Sequence, residues 1–241
     1  MEARPSPPPQ RVRTTPYISL NLLGEYMVAS FKRQRTILRT LKFPKDCVGP
    51  QFDPAQKAVV RYLIGGGGGA TRLRPIIDGL LTGDGRGNWF ERRDKLSAQA
   101  AECLLDMEGQ LNLEGLAVSE GCDRSHRTTI GGVVVSVYPD LVVRGEKGGE
   151  PVVGAMKFRY VKTKPINEEW AQYSATILHR YVESELALEG EAAQRTLCRV
   201  VDVFAGKVYE APGTFKARRE NVEAACWHIK NSWDSITLSD R

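Results

Sequence analysis

Apolar residues recur at the three- and four-residue spacing of amphipathic helices in several segments of the chain. In the first of these, Leu20, Leu23 and Met27 share one face, and Ser19 stands where a helix N-cap is expected. The segment 167–188 begins with two acidic residues, which the helix dipole favours. The pattern predicts helices at 18–41, 54–63, 72–81, 89–109, 167–188 and 215–233.

Between the last three of these helices, β-branched residues and glycine-rich turns replace the helical spacing. This texture predicts strands at 113–120, 129–143, 151–161 and 196–211, with turns at 121–123, 145–149 and 205–207. The turn at 145–149 is short enough to make its flanking strands an antiparallel hairpin.

The order of elements predicts an α/β (α+β) fold with a mixed central sheet flanked by helices. We expect this sheet domain to cover 89–241, after a helical and basic region at 18–88 and a disordered, proline-rich tail at 1–17. The glycine run at 65–69 predicts a loop. It is not a Walker phosphate loop, because no strand precedes it and no Gly-Lys-Ser/Thr follows it.

Composition narrows the class of protein. No apolar run reaches the roughly 18 residues needed to cross a bilayer, and the first 16 residues lack the apolar core of a signal peptide. We therefore expect a cytoplasmic protein without membrane contact. The five cysteines are scattered and never spaced as Cys-x-x-Cys, which favours reduced core thiols over disulfides or a zinc site.

Basic residues crowd the first predicted helix of a chain whose net charge is +5. Such a run is typical either of a solvated helix face or of a surface that follows the phosphates of a nucleic acid, and both interpretations are open at this point. On the second interpretation the nucleic-acid-binding residues are Lys32, Arg33, Arg35, Arg39 and Lys42, joined by Lys162 and Lys164.

Two ionic residues interrupt the valine-rich strands. Asp140 ends a very apolar stretch, and Lys157 follows seventeen positions later in the next predicted strand. Charged groups are costly to bury unless they are paired or bound to metal, so a hairpin here should bring the two side by side. They are then either a structural ion pair or part of a site for phosphodiester chemistry.

The pattern resembles the PD-(D/E)xK nuclease superfamily, and in particular its RecB-like and lambda-exonuclease-like branches. Pro139-Asp140, Ala155-Met156-Lys157 and Gln172-Tyr173 carry the resemblance, together with the order of elements from residue 89 onward. The resemblance implies a restriction-endonuclease-like core that hydrolyses phosphodiester bonds of DNA with Mg²⁺ or Mn²⁺.

The resemblance also implies roles for individual residues. Asp140 would bind metal together with the Met156 carbonyl, Lys157 would orient the attacking water, and Gln172 would shape the site. Glu102 would be an outlying acid on the preceding helix.

Ala155 stands where the family pattern has its second acid. Three explanations are open: Glu169 supplies a migrated carboxylate, a glutamate has been replaced to inactivate the protein, or the site is naturally degenerate. In the third case the chain is a subunit that binds nucleic acid, a protein partner or a second copy of itself without cutting.

Overall fold

The computed structural model describes residues 11–44, 52–82, 88–121 and 127–238. The first ten residues of the predicted tail and most of the turn at 121–123 lie outside this part of the chain, as do Lys45, Cys47, Cys122 and His126. Residues 11–16 form no helix or strand, and Tyr17 begins the first strand.

Within the described residues the chain forms seven α-helices. The predicted helix at 18–41 is wrong as a single element, because Ala29 and Ser30 have extended backbones and Ser30 caps a new helix. The other predicted helices are confirmed with shifted ends. The helices are α1 (Leu20–Val28), α2 (Phe31–Lys42), α3 (Asp53–Ile64), α4 (Ala70–Leu81), α5 (Asn88–Met107), α6 (Glu168–Tyr181) and α7 (Phe215–Ser232), with a π-helical turn at Val182–Leu186 and 3₁₀ turns at Glu108–Leu111 and Arg195–Leu197.

The strands form two sheets. They are β1 (Tyr17–Ser19), β2 (Ala117–Glu120), β3 (Arg127–Ile130), β4 (Val133–Ser136), β5 (Leu141–Lys147), β6 (Glu150–Arg159), β7 (Ala192–Ala193), β8 (Arg199–Asp202) and β9 (Lys207–Glu210). The larger sheet has the order β2-β5-β6-β8-β9, and β7 also pairs with β6. Strands β2, β5 and β6 are antiparallel neighbours, whereas β8 returns parallel to β6 after α6. The mixed α/β class and the β5–β6 and β8–β9 hairpins are therefore confirmed.

The predicted strand at 129–143 is wrong. Gly131 and Gly132 both have positive φ angles, 55° and 82°, and they turn the chain back so that β3 and β4 pair with each other. β4 also pairs in parallel with β1, which completes the smaller sheet in the order β1-β4-β3. Asp140 consequently lies in a bend immediately before β5 of the larger sheet.

Alternating side chains of the larger sheet enter two apolar clusters, one on each face. Val142, Val153 and Ala155 pack with α1, α2, α6 and α7, whereas Leu141 and Met156 pack with α3, α4 and α5. Helices from the first 88 residues thus cover both faces of the sheet. Across the described residues, every helix is too short or too polar to cross a membrane.

Candidate functional site

Asp140 extends the pairing of β5 with β6 by one step beyond the strand. Its backbone N–H donates to the Met156 carbonyl at 2.8 Å, and its Oδ2 accepts the backbone N–H of Phe158 at 2.7 Å. The Asp140 carboxylate thus accepts the Phe158 N–H, which in a continued β5–β6 pairing would donate to a backbone carbonyl. This arrangement fixes the side chain at the end of the hairpin.

Lys157 completes the predicted pair. Its Nζ lies 3.1 Å from Asp140 Oδ2, and the side chains are 15% and 0% exposed. The prediction that the hairpin brings these two residues together is confirmed. Solvent reaches little of the pair, so the two charges compensate each other in a region of low polarity.

Gln56 of α3 is a third partner, which no pattern in the sequence predicts. Its Nε2 donates to Asp140 Oδ1, although the two residues are 84 positions apart. Both carboxylate oxygens therefore accept N–H donors. The side chain of Asp140 meets Gln56, Lys157 and the Phe158 backbone, and none of its surface is exposed.

Tyr160 lies beside this carboxylate. Its buried hydroxyl has no hydrogen-bond partner among the described residues. Burial raises the pKa of Tyr160 well above its ordinary value, and the nearby charge of Asp140 adds to the effect. The Tyr160 ring stacks on Phe52 with centroids 6.0 Å apart, which helps close this side of the acid.

The backbone around Asp140 is tightly constrained. Tyr138 has a positive φ of 41°, an unfavourable conformation for a residue with a side chain. The Gly121 N–H donates to the Asp140 carbonyl at 2.9 Å, and a Cβ atom on Gly121 would overlap the Pro139 carbonyl oxygen. Glycine is required at 121 because two backbones approach so closely there.

Ala155 faces the apolar cluster of α1, α2, α6 and α7 and is fully buried. It lies opposite Val142 in the β5–β6 ladder. Ala155 and Lys157 are two positions apart, so they share a face of β6. A carboxylate at 155 would therefore start from a site surrounded by apolar side chains.

The remaining predicted metal and catalytic residues are placed differently. Gln172 donates from Nε2 to Glu168 at 2.9 Å and accepts from Arg218 of α7 at 2.6 Å, so its amide serves a contact between α6 and α7. The Met156 carbonyl accepts the Asp140 N–H. Glu102 and Glu169 are both exposed, on α5 and in the first turn of α6. The structure thus brings together Asp140, Lys157 and Met156, and it turns the Gln172 amide to other partners.

The predicted basic residues of α2 lie on a helix with five positive and no negative side chains. Lys32 and Arg35 are exposed and Arg39 is half-buried, and they share one side of the helix. Lys42 instead donates to the Trp233 carbonyl at 2.8 Å and so anchors α2 to the end of α7.

Arg33, Lys164 and Glu25 form a charge cluster that joins α1, α2 and the loop after β6. Arg33 and Lys164 lie 2.8 Å and 2.5 Å from the buried Glu25 carboxylate. Burial acts to raise the pKa of Glu25, but the hydrogen bonds and charges of Arg33 and Lys164 outweigh it, so the pKa is below its ordinary value. Lys162, in the same loop, donates to Gln99 of α5 at 3.1 Å.

A second buried ion pair, also missed from the sequence, holds this loop. Arg159 Nη1 lies 3.1 Å from Asp202, whose Oδ2 also accepts the Ile166 N–H at 3.0 Å. Arg159 Nη2 donates to the Lys164 carbonyl at 2.5 Å. Burial lowers the pKa of Arg159, while the negative charges of Asp202 and Glu25 oppose that shift. Side chains alternate between the two faces of β6, so Arg159 lies on the same face as Lys157. That spacing is the sequence signal from which a buried role for Arg159 could have been predicted.

The donors around Asp140 are N–H groups and an ammonium, and its two oxygens already accept them. Among the described residues, no group of three or more His, Cys, Asp or Glu side chains is placed to hold a metal ion. No protein-family model matches this chain, and no curated protein matches it.

Proposed function

We propose that this protein binds nucleic acid, and specifically DNA, on a frame of the PD-(D/E)xK nuclease type without cutting it. The order of the main elements of the larger sheet supports the frame: after α5 come the antiparallel strands β2, β5 and β6, with the β3–β4 hairpin of the smaller sheet inserted between β2 and β5, and then α6, the short β7 and the parallel strand β8. Asp140 and Lys157 lie side by side where β5 begins and β6 nears its end, the relationship that the resemblance implies.

The enclosure of the Asp140 carboxylate is the observation that carries the proposal. Mg²⁺ binds proteins through one or two carboxylates and keeps several waters, so it needs oxygen atoms that solvent can reach. The Asp140 side chain is 0% exposed, and its oxygens are held by Gln56, Lys157 and the Phe158 N–H. Ala155, in the position of the second acid, is buried among apolar residues.

The basic side of α2 supports binding to a polyanion. Lys32, Arg35 and Arg39 recur at helical spacing on a helix whose own sequence contains no acidic residue. Contacts of this kind bind phosphates whatever the base sequence, and their affinity falls steeply as salt displaces them.

The test is a pair of assays on purified protein. Fluorescence anisotropy should show DNA binding that weakens with a linear dependence of log affinity on log salt. Incubation with linear, circular and single-stranded DNA in Mg²⁺, Mn²⁺ or EDTA should give no product. A metal-dependent product from the wild-type protein would overturn the proposal.

A matched set of variants locates the binding surface. Replacing Lys32, Arg35 and Arg39 with alanine should reduce both the affinity and the salt slope. The control removes the same charge from three exposed lysines elsewhere, Lys147, Lys207 and Lys216. Equal losses in the two triple variants would mean that only net charge matters and would refute a binding surface on α2.

Metal-dependent phosphodiester hydrolysis with Mg²⁺ or Mn²⁺ is the second candidate, and the 3.1 Å separation of Asp140 and Lys157 favours it. It requires that Asp140→Asn and Lys157→Ala abolish cleavage while the protein stays folded. Ala155→Glu then asks whether a second acid is all that is missing, because a gain of activity would reveal an otherwise intact site. A cytoplasmic location and a protein or homo-oligomeric partner stay predictions.

A further inference from the structure

A groove runs between α2 and the C-terminal end of α7, and the Asp140 site does not use it. Its cavity has a volume of about 250 Å³. Phe31, Arg35 and Leu38 line it from α2, and His228 and Ser232 line it from α7. The size is below the range of pockets that enclose drug-sized ligands, so the groove suits small flat groups that lie partly outside it.

Two ring-bearing side chains that line this groove are exposed. Phe31 of α2 is 73% exposed, and His228 of α7 is exposed on the opposite wall. Large apolar side chains at the surface lose nothing when another flat apolar group covers them, and they gain stacking energy. Two exposed rings that line one groove therefore indicate a ligand that carries rings.

The charge beside the groove is positive. The Arg35 guanidinium lies 5.9 Å from the centre of the Phe31 ring, and Lys32 and Arg39 extend the same side of α2. A ring-bearing ligand that these residues attract must also carry negative charge.

The groove is held in place by contacts at one end. Lys42 donates to the carbonyls of Trp233 and Asp234 at 2.8 Å and 3.1 Å. The Trp233 indole N–H in turn donates to the Arg13 carbonyl at 3.1 Å. These bonds fix the distance between α2 and the end of α7, so a ligand meets a preformed surface.

We infer that the groove binds single-stranded nucleic acid, with bases stacked on Phe31 and His228 and phosphates along Lys32, Arg35 and Arg39. The inference rests on the proposed nucleic-acid binding and names its substrate class. A single strand offers a base face and a phosphate at each step, which suits stacking platforms beside a basic track. A duplex keeps its bases stacked inside and offers no base face to Phe31 and His228.

The test compares a labelled 12-nucleotide oligothymidine with a duplex of equal length by fluorescence anisotropy. The variant carries Phe31→Ala and His228→Ala, which remove the two rings that line the groove. We expect its affinity for the single strand to fall about tenfold or more, because each stacked base contributes on that order, while its affinity for the duplex changes less than about twofold. The control is Trp89→Ala on α5, an exposed tryptophan (42%) away from the groove, which should change neither affinity.

Each other outcome has a definite meaning. If the variant loses single-strand and duplex affinity equally, or loses neither, the groove is not a stacking site and the inference fails, while the proposed function stands. If the wild type binds neither DNA, both fail. Displacement of the oligothymidine by polyglutamate at equal charge would show that the groove accepts any acidic chain, and it would overturn the assignment to nucleic acid. Thermal unfolding of each variant verifies that it is folded.

Discussion

Asp140 and Lys157 meet 3.1 Å apart across the β5–β6 hairpin, and they differ in their access to solvent. The lysine side chain is 15% exposed, whereas the aspartate side chain is 0% exposed. The acid also accepts N–H donors from Gln56 and Phe158. The carboxylate therefore depends on the protein for all of its stabilising contacts, and the lysine does not.

This asymmetry predicts a large cost for removing the lysine charge. Lys157→Met leaves the buried carboxylate with neutral donors only. We expect the free energy of unfolding to fall by about 2–4 kcal/mol, somewhat less than for a completely buried pair because water reaches part of Lys157. Urea unfolding measures the change, and Lys147→Met, at an exposed lysine in the same hairpin, should cost less than about 0.5 kcal/mol. Additive effects of Asp140→Asn and Lys157→Met in the double variant would contradict an interaction between the two residues.

Substitution of Gly121, which lies beside Asp140, should lower the free energy of unfolding for a different, steric reason. In Gly121→Ala the new Cβ overlaps the Pro139 carbonyl oxygen, so the backbone at the start of β5 must move. We expect a loss of about 1–3 kcal/mol, the usual cost of overpacking. Gly79→Ala is the matched control, because Gly79 is exposed inside α4 with open space around it. That change should stabilise the protein by about 0.5–1 kcal/mol, so a similar sign for both variants would refute the steric account.

The β5–β6 hairpin, and with it the Asp140–Lys157 pair, could be predicted because local signals determine them. Gly148 and Gly149 have positive φ angles of 62° and 85°, the conformation that glycines favour in a tight hairpin turn. Once the turn is fixed, the period of two residues sets which side chains share a face. The family resemblance added the expectation that these two residues have a role, and that role stays a prediction.

Contacts between distant parts of the chain left no such signal. The pairing of Tyr17 with Val134 joins β1 to β4, and the Gln56–Asp140 bond spans 84 positions. The helix at 167–188 was predicted, but helical spacing alone does not say which neighbour Gln172 faces, and its amide contacts Arg218. The apolar run at 133–137 did not indicate that the chain leaves the smaller sheet and enters the larger one before Asp140, because buried valines are expected in both sheets.

The hydrogen bond from Gln56 predicts how much α3 contributes to the stability of the buried Asp140 carboxylate. In Gln56→Leu the Asp140 Oδ1 loses its donor while remaining buried, and a hydrogen bond to a charged group contributes about 1.5–3 kcal/mol. We expect the free energy of unfolding to fall by about that amount. Gln99→Leu removes a comparable amide, but its partner Lys162 is exposed, so the loss should stay within about 0.5 kcal/mol. Urea denaturation that gave equal losses for the two variants would show that the Gln56 bond adds nothing.

The shifted pKa of Glu25 predicts how the stability of the protein changes as the pH falls. Burial opposes ionisation, but the hydrogen bonds and charges of Arg33 and Lys164 hold the pKa of Glu25 below its ordinary value of 4.5. The unfolded chain therefore takes up this proton first as pH falls, so the contribution of Glu25 to stability is present above about pH 4.5 and is lost as pH falls through the lower, folded pKa. The two partners are 45% and 54% exposed, which limits the contribution to about 1 kcal/mol or less. Glu25→Gln should consequently be less stable than the wild type at pH 6, and the difference should shrink below pH 4.5. The control is Glu102→Gln, which removes an exposed carboxylate and should differ little from the wild type at either pH. Thermal unfolding across this range checks the prediction, and a Glu25→Gln difference that stayed constant with pH would contradict it.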